Sequence, residues 1–237
     1  MEYIYLLTAV CAVTYTFEIV FGLAGTIMML MVMTFFFDAK LLVVYSVLPQ
    51  ILVAVIGLYR SPRTVNPREW LMMSGFALAG GLVGITIFYH FPSEGFRYLL
   101  ASVITFTGVY LVMSPKRFAI GPRLSRGLDV LGGMSQGMVG ISGPIVMTRL
   151  LGTYDNKTLV RNYALAFYLT LNLGRLSVYL ASGTIGSDIL NMMLISGPIL
   201  FVVLWFSNHL HFKTNEALFR KVVSWVILFG GISLFFH

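Results

Sequence analysis

Long apolar runs separated by short polar stretches dominate the sequence. They occupy residues 3–36, 41–59, 70–90, 97–114, 127–152, 158–182, 189–208 and 217–236. A helix needs about 20 consecutive apolar residues to cross a membrane, and all of these runs except the first and the fifth have ordinary spanning length. The pattern therefore predicts an all-α integral membrane protein.

Two of the runs contain helix breakers. The run 3–36 would form a helix about 51 Å long at 1.5 Å per residue, against a hydrocarbon core of about 30 Å. Its middle reads FGLAGT at residues 21–26, and the run 127–152 reads VGISGP at residues 139–144. Glycine and proline interrupt helices, so each run is predicted to be two half-helices. They form either one broken crossing or a re-entrant hairpin.

The distribution of basic residues favours the hairpins. With two hairpins and six full crossings, only Lys40 and Arg97 lie on one side of the membrane, and every other basic loop residue lies on the opposite side. Two full crossings would instead reduce the bias to a near tie. Basic loops face the cytoplasm, so the sequence predicts a multi-pass protein of the cell inner (plasma) membrane with cytoplasmic basic loops and both termini outside.

The chain resembles itself at an offset of 118 residues, which superposes FGLAGTIMM at 21–29 on VGISGPIVM at 139–147. We therefore predict two repeats. Residues 1–118 hold the broken segment 3–36 and helices 41–59, 70–90 and 97–114, and residues 119–237 hold the broken segment 127–152 and helices 158–182, 189–208 and 217–236. Three crossings per unit make the repeats inverted, a common design of secondary transporters.

Composition and charge argue against a soluble protein, a nucleic-acid-binding protein and a metalloprotein. The chain is 58% hydrophobic and 11% charged, with a mean hydropathy of +0.87, whereas soluble domains are about 25% charged. The net charge of +7 belongs to short loops and does not indicate nucleic-acid binding. Cys11 is the only cysteine, and the histidines fall near the ends of the spans. We therefore expect neither a metal centre nor a cofactor.

The two breaks are candidates for an anion site. A half-helix that begins after Gly25 or Gly143 presents unpaired backbone N–H groups and about half a positive charge to the membrane interior. Pro144 suits the first turn of a helix, and Thr26 and Ser142 add hydroxyl donors. Close helix packing is the alternative explanation for the glycines.

Several polar residues lie deep in the predicted spans. Arg175, one turn from Asn172, either pairs with an anionic substrate or extends its side chain to the interface, because an intramembrane arginine costs about 2.5 to 3.5 kcal/mol. Glu18 is a coupling carboxylate, a partner of Arg175 or a structural hydrogen-bond acceptor, and Gln136 occupies the matching position of the second repeat. Gln50 and Tyr168 match each other at the same offset and are weaker candidates.

One enzymatic reading arises from Gly140-Ile141-Ser142-Gly143, because intramembrane serine proteases of the rhomboid type use G-x-S-G with a mid-membrane histidine. No histidine lies at that depth here, and the first repeat has Ala24 in place of Ser142. The motif therefore indicates a backbone conformation that both repeats share, and we do not expect an enzyme.

These segments resemble the TauE/SafE sulfite exporter family, within the toluene sulfonate uptake permease superfamily. The resemblance lies in FGLAG at residues 21–25, MSQGMVGISGP at residues 134–144, Asn172 and YLASG at residues 179–183. It implies transport of sulfur-containing or organic anions such as sulfite or a sulfonate, and it assigns the glycine-rich substrate loops to Gly22, Gly25, Gly140 and Gly143.

The leading hypothesis is a secondary transporter, working as an exporter, that moves such an anion by alternating access around the two half-helix tips. A passive anion channel is the alternative, and a membrane protein without transport activity is a third reading. The expected partners are the small anion and the lipid bilayer. A coupled proton or sodium ion and a homodimer stay open.

Overall fold

The computed structural model describes residues 2–21, 24–59, 65–113, 119–207 and 216–236. The candidate Gly22 lies outside these ranges, as do Arg60, Arg63, Lys116, Arg117 and Lys213 of the basic loops. Within them the chain forms helices and no strand. The helices are α1 (Glu2–Phe21), α2 (Gly25–Met33), α3 (Ala39–Tyr45), α4 (Val47–Tyr59), α5 (Pro67–His90), α6 (Ser93–Met113), α7 (Pro122–Val139), α8 (Gly143–Leu151), α9 (Lys157–Ala181), α10 (Ser187–Ser207) and α11 (Glu216–Ser233).

The first broken segment folds back on itself. Ala24 adopts the left-handed conformation, with φ of 80°, between the end of α1 and the start of α2. The ring of Tyr3, at the start of α1, lies 5.5 Å from the ring of Phe36, which follows α2. Both arms of the segment therefore end on the same side, as a hairpin does.

The second broken segment is also a hairpin. Gly140 has φ of 74° and ends α7, and α8 begins at Gly143 with Pro144 in its first turn. The N–H of Ile120, just before α7, donates to the carbonyl of Gly152, just after α8, at 3.2 Å. The chain thus enters and leaves this segment at one end of the bundle.

Two element boundaries differ from the prediction for clear physical reasons. The second broken segment begins at Pro122 and not at residue 127, because its polar first turns are helical although they are not apolar. The predicted helix 41–59 is interrupted at Ser46 into α3 and α4. Pro49 has no N–H to donate to the Tyr45 carbonyl one turn earlier, which weakens the helix at that point.

Most of the predicted crossings have the length and apolarity to span a membrane. Among the described residues, five stretches qualify: Ala39–Tyr59, Pro67–His90, Ser93–Met113, Thr158–Ala181 and Ser187–Ser207. The sixth predicted crossing, 217–236, corresponds to α11, whose apolar described part, Val223–Ser233, is shorter. Large apolar side chains such as Leu71, Phe106 and Leu194 are exposed on the outside of the bundle, as lipid contact requires. The protein is a multi-pass membrane protein.

The helices pack in a few dominant pairs: α5 with α7, α6 with α11, α4 with α9, and α1 with α10. The pair α5 and α7 is the closest, because glycines on both helices face the partner's backbone. A side chain at Gly84 would collide with the Met134 carbonyl, and one at Gly133 would collide with the Ala77 carbonyl. Small residues of this kind allow helices to approach closely in a membrane.

Candidate functional site

The two hairpin tips meet at a small cavity in the interior of the bundle. About 20 Å³ of it is available to the centre of a water molecule, where one water needs roughly 10 to 15 Å³. The predicted candidates that line it are Glu18, Thr26, Gln50, Gln136, Gly140, Ser142, Gly143 and Tyr168, together with Ala24, Ile27 and Ile141. Gly25, Pro144, Asn172 and Arg175 do not line it. The fold therefore gathers polar groups of four segments around a space for one or two waters.

At the first tip, the chain's own carboxylate occupies the helix start. Glu18 Oε2 accepts hydrogen bonds from the Thr26 N–H at 2.8 Å and from the Thr26 hydroxyl at 3.2 Å. A side chain at Gly25 would lie 2.6 Å from Glu18 Oε2 and 2.6 Å from the Thr14 carbonyl oxygen, so only glycine allows this close approach. The Glu18 carboxylate thus holds the place that an external anion would take at the N-terminus of α2.

At the second tip, an amide stands where the first tip has a carboxylate. Gln136 Oε1 accepts from the Ser142 hydroxyl at 2.7 Å, and Gln136 Nε2 donates to Gln50 Oε1 at 2.6 Å. The first N–H groups of a helix have no partner within it, and they carry a partial positive charge. Gln136 contributes no charge that would compensate the start of α8.

Gln50 connects the two tips. Its Nε2 donates to the Thr26 hydroxyl at 2.7 Å and to the Gly140 carbonyl at 3.0 Å, while its Oε1 accepts from Gln136. The side chain is 4% exposed, and its hydrogen-bond partners among the described residues all belong to the two hairpins. Any separation of the tips must therefore break hydrogen bonds of Gln50.

Tyr168 faces the second tip from α9. Its hydroxyl would lie 3.6 Å from a side-chain carbon at Gly143. Among the described residues no hydrogen bond of this hydroxyl is found, although the side chain is 8% exposed. Glycine at position 143 thus leaves the space in front of the hydroxyl open, and the phenol is a spare donor beside the start of α8.

Arg175 lies behind the second tip, and its side chain is buried to 2% exposure. It does not extend to the interface. Its guanidinium donates to Asn172 Oδ1 at 3.0 Å, to the Val43 carbonyl at 2.9 Å and to the Tyr179 hydroxyl at 3.4 Å, and its buried Nε has no partner among the described residues. It does not pair with Glu18 in the described part of the chain.

The arginine is nevertheless coupled to the cavity. A side-chain carbon at Gly140 would be 3.3 Å from the guanidinium, so the positive charge sits directly behind the backbone of the tip. Asn172 Oδ1, which accepts from Arg175, also lies 3.3 Å from Gln136 Nε2 and accepts from it. The route from the buried charge to the cavity therefore runs through Asn172 and Gln136.

Sequence reasoning missed a buried ion pair in the second hairpin. Arg149, treated above as a loop residue, is 5% exposed, and its Nε lies 3.1 Å from Oδ1 of Asp129, which is 4% exposed. Arg149 also lies 3.6 Å from the half-exposed Glu69 of α5. The signal was available, because Asp129 and Arg149 stand at similar distances on either side of the break and a hairpin brings such positions together. At the 118-residue offset their counterparts are the apolar Cys11 and Met31.

The comparison with known proteins identifies a family that covers nearly the whole chain. The family described as sulfite exporter TauE/SafE matches residues 7–234, nearly the whole chain. Neither the curated proteins nor the solved structures contain a match. Because the match spans both hairpins and the helices that follow them, the chain belongs to the sulfite exporter TauE/SafE family.

Proposed function

We propose that this protein is a secondary transporter that exports a small sulfur-containing or organic anion, such as sulfite or a sulfonate, by alternating access around the two tips. One observation carries the proposal: two broken helices meet at a small cavity lined by polar side chains inside the bundle, and an amide, Gln136, stands at the start of α8 in place of a carboxylate. Broken helices at membrane depth are tolerated mainly where they line a cavity, and the family match gives the anion its chemical class.

The packing of the helices supports an inverted repeat. When each element of residues 1–118 is exchanged for its counterpart in residues 119–237, the pair α1 and α10 becomes the pair α7 and α5. The pair α1 and α2 becomes α7 and α8, and α2 with α11 becomes α8 with α6; all of these pairs are in contact. The pairs α4 with α9 and α6 with α11 map onto themselves. Two halves related in this way can rock around a central site.

The proposed anion site is at the second tip. There the N–H of Gly143, the hydroxyls of Ser142 and Tyr168 and the positive end of α8 converge on the cavity, with Arg175 and Asn172 behind Gly140. Pro144 sets the first turn of α8. The first tip contributes the Thr26 hydroxyl and the backbone of Gly25, but its own helix start is already compensated by Glu18.

The size of the cavity supports alternating access. A space for one or two waters is too small for a sulfite ion, so the tips must separate before the anion binds. Gln50 holds the tips together through Thr26, Gly140 and Gln136. An anion that replaces some of these hydrogen bonds would stabilise an open arrangement, since a ligand shifts a conformational equilibrium by its difference in affinity.

Glu18 makes a proton the preferred coupled ion; it is bound together with the anion, so net export follows the outward gradient of the anion. An ionised carboxylate and an anion in the same small cavity repel each other strongly at low dielectric, and protonation of Glu18 removes the repulsion. The titratable and charged groups that face Glu18 are Tyr15 on α1 and Tyr168 and Arg161 on α9. Of these, only Arg161 carries a charge.

The two ends of the bundle support the proposed orientation. Lys40 Nζ donates to the Phe91 carbonyl at 2.7 Å, and Arg97 Nε donates to the Leu234 carbonyl at 3.3 Å. The two basic residues assigned to the outside thus lie near the ends of α5 and α11, and Leu234 is close to the C-terminus. We propose the plasma membrane, with the opposite, basic end in the cytoplasm.

The test is thermal stabilisation of the purified protein by sulfite, thiosulfate, sulfoacetate, taurine, sulfate and simple carboxylates, since a bound ligand raises stability by mass action. The anion that stabilises most is then assayed for flux in proteoliposomes with and without a pH gradient. We expect saturable flux that the gradient drives. Unsaturable flux without coupling would identify a passive channel, and no stabilisation or flux with any anion would refute the proposed function.

A further inference from the structure

A second cavity lies beside the central one, on the basic side of the bundle. It offers about 10 Å³ to the centre of a water molecule, which is the space of a single water, and it is lined by Glu18, Met147, Arg161, Ala164, Leu165 and Tyr168. Glu18 and Tyr168 also line the central cavity. These two side chains therefore form the partition between the two spaces.

The polar residues of α9 form a stripe that passes both cavities. Arg161, Tyr168 and Arg175 follow one another at intervals of seven residues, with Ala164, Leu165 and Asn172 between them, so all lie on one face of the helix. At 1.5 Å per residue, Arg161 and Arg175 are about 21 Å apart along the axis, with Tyr168 midway. One arginine thus flanks the central cavity on each side.

The segment formed by α3 and α4 contacts both arginines of this stripe. At the 118-residue offset, Val43 and Gly57 of the first repeat correspond to Arg161 and Arg175. Gly57 faces Arg161, because a side-chain carbon there would lie 3.7 Å from its Nη2, and the Val43 carbonyl accepts from Arg175 at 2.9 Å. In the first repeat both counterparts are uncharged, so the two positive charges belong to α9 alone.

Arg161 is held in position at the end of the first hairpin. Its Nη2 donates to the Ile19 carbonyl at 3.4 Å, in the last turn of α1. It stands one turn after the start of α9, at the end of the bundle where the Ile120 to Gly152 hydrogen bond closes the second hairpin. An anion that approaches from this end meets Arg161 before it meets the partition.

We propose that Arg161 forms an approach site for the transported oxyanion on the basic side of the central cavity, and that Glu18 and Tyr168 separate the two sites. The inference rests on the proposed function. Arg161 raises the local concentration of the anion next to the partition, and a fork of N–H donors suits an oxyanion. Displacement of Glu18 from between the two cavities then joins them. Arg161 is a positioning residue and leaves the equilibrium affinity of the central site unchanged.

The test compares the rate at which Arg161→Gln transports the anion at low concentration with its equilibrium affinity for the anion. Sulfite flux into proteoliposomes is measured at concentrations well below saturation, and the dissociation constant for sulfite is measured separately at equilibrium in detergent. We expect the flux to fall about tenfold, because electrostatic steering raises association rates by a factor of ten or more, while the dissociation constant stays at the wild-type value. The dissociation constant is the ratio of the dissociation and association rates, and it stays constant because both rates fall by the same factor.

Two further variants separate this role from folding and from general charge. Arg161→Lys keeps the positive charge and should recover most of the flux, and Arg123→Gln removes an exposed arginine from the same end and should behave as wild type. High salt should lower wild-type flux and leave Arg161→Gln nearly unaffected.

The outcomes distinguish the inference from the proposed function. If wild-type protein moves sulfite and Arg161→Gln moves it equally fast, the approach site is refuted while transport stands. A dissociation constant that rises in parallel with the loss of flux would also refute it, because Arg161 would then act on the central site. If wild-type protein neither binds nor moves sulfite or any other anion of the panel, the proposed function falls, and the approach site with it.

Discussion

Glu18→Gln tests the coupling between the anion and a proton. The substitution keeps the shape of the side chain and its oxygen acceptor for the Thr26 N–H, but it removes the negative charge from the central cavity. The affinity of the wild type should rise as the pH falls, since protonated Glu18 no longer repels the anion. The variant should bind with the high affinity of the protonated state at every pH.

The structure sets the size of the effect. An anion that binds between the separated tips would lie on the order of 6 Å from the Glu18 carboxylate, and two unit charges at that distance repel by about 3 kcal/mol at an effective dielectric constant of 20. That corresponds to about a hundredfold in the dissociation constant. If one proton is bound with the anion, the wild-type affinity changes by at most about tenfold per pH unit.

The same substitution should not lower stability. It replaces a charged acceptor at the start of α2 with a neutral one, which removes an interaction with the helix dipole worth about 1 kcal/mol, but it also removes the cost of burying an ionised carboxylate. The variant without ligand should therefore unfold at a temperature no lower than that of the wild type. Tighter binding in a protein of undiminished stability is a combination that a folding defect does not produce.

The assay is the dissociation constant between pH 5.5 and 8.5, measured by calorimetry. Sulfate or an alkanesulfonate serves as the probe, because its charge is constant over this range and sulfite titrates within it. Gln136→Glu is the matched control: it places a carboxylate at the second tip and should weaken binding at neutral pH. A wild-type affinity that does not depend on pH, or a Glu18→Gln profile that follows the wild type, would refute the coupling role.

Three other substitutions test the remaining parts of the site. Tyr168→Phe should weaken anion binding by about tenfold, the value of one lost hydrogen bond to a charged group, whereas Tyr98→Phe on the exposed surface should not; equal affinities would exclude the phenol from the site. Arg175→Ala should abolish binding while the protein still unfolds cooperatively, and near-normal binding would show that the buried charge serves the fold alone. Asp129→Asn should lower the free energy of unfolding by about 3 kcal/mol, because it leaves Arg149 buried without its nearest partner, and a change no larger than that of Glu69→Gln would contradict this.

The sequence predicted the elements of the fold well where a single physical rule applies. Apolar length located the spans, and the glycines and proline at residues 21–26 and 139–144 located both breaks. The positive-inside rule then selected hairpins over crossings, and the Ile120 to Gly152 hydrogen bond and the Tyr3 to Phe36 contact show that both segments do turn back. The predicted start of the second broken segment at residue 127 was wrong, since α7 begins at Pro122, because a polar helical turn carries no apolar signal.

The sequence also predicted which polar residues come together, but not what each does. Eight of its candidates line one cavity, because the tips of the two hairpins meet there. It could not decide between the roles of Glu18, because the choice depends on whether the carboxylate reaches Thr26 or Arg175. It could not decide whether Arg175 faces the interior or the interface, because both directions are available to a long side chain on an isolated helix.

Patterns along the chain determine that this is a multi-pass helical membrane protein. Hydrophobicity, charge bias and helix breakers are local properties, and they act directly on how each segment inserts into the membrane. Contacts between distant segments are decided only by tertiary structure. The Glu18 carboxylate at the start of α2, the Gln50 link between the tips, the Arg149 to Asp129 ion pair and the place of Arg161 beside a second cavity each depend on side chains from different helices. In a bundle packed this closely, a change of one helical register would separate these groups, so their pairing is a property of the packed whole.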